Sequence, residues 1–183
     1  PEMTESDHTD NPTIHQSITA RSVDQQDNSI ILPQAFAIAV PDTAEADNVI
    51  SIAAPQATMI ARHASGRPWL MVRMPQAYVT ASTAPGTRIV AVGTCSASVE
   101  DLNRIARRGA SLSETAAEVM RFDGSFTVYA LRDATILACG PAMQTHRVFH
   151  ARIFGTTIVS DRADTLSALG RLPLDTAAVT RSL

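Results

Sequence analysis

The chain has 183 residues, 45% hydrophobic and 18% charged, which suits one domain with a real core and is too short for two comfortable ones. All 15 of its cationic Lys/Arg positions are Arg, set against 18 acidic residues for a formal charge of −3. The scattered arginines form no basic stripe, which argues against nucleic-acid binding, and the missing lysine excludes lysine catalysis.

Two cysteines, Cys95 and Cys139, do not make a disulfide scaffold, and their apolar or small-residue neighbours predict buried free thiols. No stretch approaches the ~18 consecutive apolar residues of a membrane span. The acidic, polar start (residues 1–11) does not resemble a secretory signal, so the expectation is a cytoplasmic protein without membrane contact.

Residues 1–29 carry few apolar anchors and are expected to form a flexible polar tail, with the folded domain spanning residues 30–170. The apolar run over residues 30–40, stopped by Pro41-Asp42, predicts a buried strand. Residues 57–62 and 68–73 flank Ala64-Ser65-Gly66-Arg67 and predict a hairpin; residues 76–82 and 88–93 flank Ala84-Pro85-Gly86 and predict a second. Ser98 with Asp101, ahead of Leu102, Ile105 and Ala106, has the form of a capping box and predicts a helix closed by Gly109. Ser111 with Glu114 predicts another, running to about Arg121.

Residues 125–131 alternate without a strongly polar side, so this strand is expected to be covered on both faces. Three further strands are expected over 135–139, 147–152 and 156–160. Asp161 is read as the cap of a helix ending at Gly170, and Asp175 as the cap of another. Strands, two helices, strands and short helices together predict an α+β domain of antiparallel sheets with helices packed outside.

Two sets of segments carry a family resemblance. The first is His63-Ala64-Ser65-Gly66-Arg67-Pro68-Trp69-Leu70, leading to Arg88-Ile89-Val90-Ala91-Val92-Gly93-Thr94-Cys95. The second is Gly124-Ser125-Phe126-Thr127-Val128, then Arg147-Val148-Phe149-His150-Ala151, then residues 160–169. In this order they resemble the N-terminal, glutamine-amidotransferase-like domain of asparagine-synthetase-like proteins. Among those proteins the likeness is to the lasso-peptide macrolactam synthetases of actinobacteria.

The resemblance implies a four-layer αββα sandwich of the N-terminal-nucleophile hydrolase type. Active members of that family need a Cys whose own α-amine serves as base, and an Asn-Gly pair for the oxyanion. Here the corresponding strand reads Gln34-Ala35-Phe36-Ala37 inside the chain, and Gly93-Thr94-Cys95 stands where Asn-Gly is expected. The implied reading is a domain without catalytic residues or cofactor of its own, scaffolding a synthetase domain that uses ATP and Mg. Residues 171–183 would begin the connection to that domain. A precursor peptide and its processing proteins are further implied partners. Two alternatives stay open: a free-standing peptide- or partner-binding module acting by strand addition, and a residual amidohydrolase using Cys95 with His63 or His150.

Other residues have plainer readings. His146 and His150 share a strand face but lack a third ligand, so no metal is expected. Asp161 and Asp164 are explained as helix caps, Arg67 as a solvated charge at a hairpin tip, and Pro1 as too isolated to serve as a base. Phe36, Trp69, Phe126, Tyr129 and Phe149 are the residues expected to matter, through packing.

Overall fold

The computed structural model describes residues 30–108, 111–141 and 147–171. Within them the chain forms two antiparallel sheets. Strands β1 (Phe36–Ala39), β2 (Thr58–Arg62), β3 (Pro68–Arg73), β8 (Phe149–Ile153) and β9 (Thr156–Ser160) make one, ordered β2-β3-β1-β9-β8. Strands β4 (Val79–Ala81), β5 (Arg88–Cys95), β6 (Gly124–Arg132) and β7 (Thr135–Cys139) make the other, in chain order. Helices α1 (Ala46–Ala53) and α4 (Ala163–Gly170) go with the first sheet, and α2 (Val99–Arg107) and α3 (Leu112–Val119) with the second.

Side-chain alternation along the strands sets the stacking, because successive residues of a strand point to opposite faces. Phe36 and Ile38 of β1, with Val40 just after it, join Val49 of α1 and Leu166 and Leu169 of α4 in one core. Ala37 and Ala39 join Trp69, Val72, Val90, Val92, Tyr129 and Leu131 in a second core, shared by both sheets. From β5 and β6, Ile89, Ala91, Phe126 and Val128 meet Leu102 and Ile105 of α2 and Ala116 and Val119 of α3 in a third. The layers therefore run helix, sheet, sheet, helix, consistent with the predicted α+β class. Strand β6 is buried from Phe126 to Leu131, as a strand between two of these cores must be.

Local chemistry fixes several boundaries. The Ser98–Asp101 and Ser111–Glu114 capping boxes are both formed, each serine accepting from the backbone N–H three residues on. Arg108, at the end of α2, pairs with Glu118 of α3 and ties the two helices together. Gly109 and Asp175 lie outside the described residues. Strands β6 and β7 turn through Asp133 and Ala134, and β8 and β9 through Phe154 and Gly155, all with positive φ, as tight two-residue hairpins require.

Two expectations need correction, and one helix was not foreseen. The strand predicted over residues 30–40 is confined to Phe36–Ala39. Ahead of it, the Gln56 side-chain amide accepts from the Leu32 N–H (2.9 Å) and donates to the Ile30 carbonyl (2.8 Å), replacing a strand neighbour. Pro33, without an N–H, could not have continued the ladder. Helix α1 was not foreseen; its buried Ala46, Val49 and Ala53 follow a helical spacing without a side-chain cap to announce it. Asp161 does not cap α4. Its carboxylate accepts from the Ala37 N–H (2.8 Å) and extends the β1–β9 pairing, while Arg162 occupies the cap position without a side-chain capping bond; Asp164 is not a cap either, its carboxylate accepting from the Arg162 guanidinium.

Candidate functional site: the two ends of the sandwich

The end of the sandwich where β1 begins is the place at which the family resemblance would put a nucleophile. Strand β1 opens there on Phe36, fully buried against α1 and α4, and Ala37, buried between the sheets. Neither has a nucleophilic atom. A depression of about 520 Å³ lies alongside, lined by Gln34, Gln56, Thr58 and Arg73 among others, with no thiol or imidazole in its wall.

Cys95 closes β5 at the same end, opposite Gly124 of β6. It is half-buried against the α2–α3 core, on the face of its sheet turned away from the sheet that carries His63 and His150. Burial pushes its thiol above the usual value, only partly countered by a hydrogen bond with the Ala97 backbone. Burial likewise raises Cys139. His63 sits at the Arg88 end of β5, since Arg88 donates to the neighbouring Arg62 carbonyl. Seven residues of strand, roughly 23 Å, separate that end from Cys95. The Cys95–His63 pair is therefore not formed.

Gly93 and Gly124 hold β5 and β6 together beside Cys95. Both have positive φ (+125° and +137°). A Cβ on Gly93 would lie 2.4 Å from the Ser125 carbonyl oxygen, and one on Gly124 would lie 2.0 Å from that of Thr94. The glycines at this corner serve the close approach of two backbones.

Of the expected packing residues, Phe36, Trp69, Phe126 and Tyr129 are buried and distributed over all three cores, whereas Phe149 is only partly buried. The Tyr129 phenol is held far above its ordinary value by burial, with the Asp161 carboxylate adding to the effect. His150 is exposed on β8, and His146 lies outside the described residues. Among the described residues no group of three or more His, Cys, Asp or Glu could hold a metal ion. Likewise, no helix among them is long and apolar enough to cross a membrane.

The opposite end of the sandwich holds a larger opening, a cleft of about 1030 Å³. The β2–β3 turn, the β4–β5 turn and the β6–β7 turn frame it, and Trp69, Val90 and Leu131 belong to its floor. Arg62, Arg88 and Arg132 line it. Arg62 donates to the Gly66 carbonyl (2.6 Å), Arg88 to the Arg62 carbonyl, and Arg132 to the Thr87 hydroxyl (2.6 Å). Each is anchored by a neutral acceptor, and none makes an ion pair with a described carboxylate, unlike Arg67, Arg104, Arg108 and Arg162.

His63, also in the wall, is buried and bonds through Nε2 to the Val40 carbonyl at 2.9 Å. A carbonyl can only accept, so Nε2 carries the proton. Asp42 and Asp133 are the acids of the wall. The Ser65 hydroxyl, donating at 2.7 Å, holds Asp42 below its usual range, assisted by Arg67 at 3.6 Å. Arg67, expected to be merely solvated, also reaches Asp47 in the first turn of α1 (3.3 Å) and ties the hairpin to that helix. Sequence reasoning singled out His63 and Arg67 and missed the three-arginine wall. Its members stand on β2, β5 and β6, and only strand pairing assembles them.

No family model, curated protein or solved structure matches the chain.

Proposed function

We propose that this chain is a degenerate amidotransferase-like domain of N-terminal-nucleophile hydrolase type. In this reading it does not hydrolyse glutamine, and it scaffolds the ATP- and Mg-dependent synthetase domain of an amide-forming enzyme akin to lasso-peptide macrolactam synthetases. Its task is to pack against that domain and wall the space where a precursor peptide is held.

One observation carries the reading. Two stacked antiparallel sheets flanked by helices are retained, while β1 opens on Phe36 and Ala37 and the nearby Cys95 is turned toward α2 and α3. Such a domain keeps its layers and lacks the thiol and amine that the hydrolytic chemistry needs. A macrolactam-forming enzyme receives its amine from the peptide itself, so the loss of ammonia production is compatible with function.

The test has two arms. Incubated with glutamine and with a thiol-reactive glutamine analogue, the chain should release no glutamate and carry no label at Cys95. Co-expressed with a lasso-type synthetase domain, it should co-purify with that domain. Glutamate release or labelling at Cys95 refutes the silent assignment; failure to associate refutes the scaffold.

A further inference from the structure

We propose that the arginine-lined cleft is a binding site for an acidic peptide segment with apolar neighbours. It lies at the far end of the sandwich from the corner that the amidotransferase-like reading concerns, and the inference does not depend on that reading.

Charge is the first argument. Three arginines line one opening, each bonded to a neutral carbonyl or hydroxyl, and none forms an ion pair with a carboxylate among the described residues. Of the two acids in the wall, Asp42 is engaged by Ser65 and Arg67, leaving Asp133 against three arginines. Planar guanidinium forks match carboxylates in two-point contact.

Shape and edge chemistry supply the second argument. At about 1030 Å³ the cleft is at the top of the range of drug-sized sites, and it lies against the apolar core between the sheets, with Trp69, Val90 and Leu131 buried beneath it. Its walls include residues 59–62 of β2 and Ala81 of β4, and each of these strands is the terminal strand of its sheet. An edge strand offers unpaired backbone groups to an extended chain, and alternate side chains of that chain can then enter pockets. Strand β2 is largely exposed, with Met59 more than a third open, and its pairing with β3 slips on both sides of Ala61, next to Arg62. An apolar, irregular edge beside arginines that have no ion-pair partner among the described residues fits a peptide better than a compact anion.

Trp69 is the only tryptophan and lies buried directly beneath the cleft, so its fluorescence reports binding in the full chain through the change in its surroundings. The terminally blocked peptide Phe-Glu-Val-Glu-Val should produce a saturable change that is weakened by 0.5 M salt. Its counterpart Phe-Gln-Val-Gln-Val, and citrate as a compact polyanion, should bind at least about tenfold more weakly. Arg88→Gln and Arg132→Gln should each weaken binding of the acidic peptide by about tenfold, and Arg152→Gln, on β8 at the other edge, should leave it unchanged. Arg62→Gln, at an exposed position, gives the same readout if either of the first two variants loses its native circular dichroism. Equal binding of acidic and neutral peptides, citrate binding as tight as the peptide, or no saturable change would overturn the proposal.

Discussion

Replacing Trp69 separates two contributions that coincide at one side chain. Trp69 is fully buried between the sheets, yet its indole Nε1 has no hydrogen-bond partner among the described residues. Truncation to Ala removes a large ring from a packed core, which costs about 3–5 kcal/mol. Deleting a buried, unpaired donor recovers about 1–3 kcal/mol, because its desolvation is no longer incurred. Trp69→Ala should therefore cost about 2 kcal/mol, below the packing range itself. Trp69→Phe, which keeps most of the ring and drops the donor, should lie within about 1 kcal/mol of the parent. Urea unfolding followed by far-ultraviolet circular dichroism suits the test, since both variants lose the only tryptophan. At about 3 °C per kcal/mol for a domain of this size, Trp69→Ala should melt roughly 6 °C lower. Unchanged melting of Trp69→Ala, or equal losses for both variants, would refute the reasoning.

Gly93→Ala and Gly124→Ala should each abolish soluble folded protein, because a Cβ at either position collides with backbone; Gly86→Ala, with open space around it, should cost only the ~1 kcal/mol of its positive φ, both read by expression and melting. Ala134→Gly should stabilise by about 1 kcal/mol by relieving a φ of +64° at the β6–β7 turn, seen as a raised urea midpoint. Asp101 and Glu114 are both held below their ordinary values, first by the hydroxyls of Ser98 and Ser111. Their contribution is present above the unfolded carboxylate values and is lost as pH falls through the lowered folded ones. The stability gap between the parent and Ser98→Ala/Ser111→Ala should accordingly be full at pH 7 and shrink below about pH 4, measured by urea midpoints across pH. Cys95 and Cys139, with thiols pushed above 9.0, should react with a disulfide reagent at pH 7 at least about tenfold more slowly in the native protein than in urea.

Elements that announce themselves locally were legible in the amino-acid order. The boundaries 68–73, 135–139 and 156–160 coincide with β3, β7 and β9, and both capping boxes stand where serine and the acid three residues later placed them. What depended on distant partners was not. Gln56 ends the strand character of residues 30–35 from 24 positions away, and Asp161 serves the Ala37 amide across 124 positions instead of the helix beside it. Helix α1 lacks a side-chain cap and hides behind Pro41-Asp42, though the spacing of Ala46, Val49 and Ala53 was there to be read. The arginine cleft shows the same division. Arg62 and Arg88 are 26 positions apart, and nothing in the composition of β2, β5 or β6 says that their ends meet.

The Gln56 amide has a practical consequence. By holding Ile30 and Leu32 from both sides, it pins the chain's entry into the domain beside the start of β1. A tether or reporter attached at Ile30 itself would leave from that side, so a chip-bound protein would present its guanidinium-bearing mouth outward to the solution.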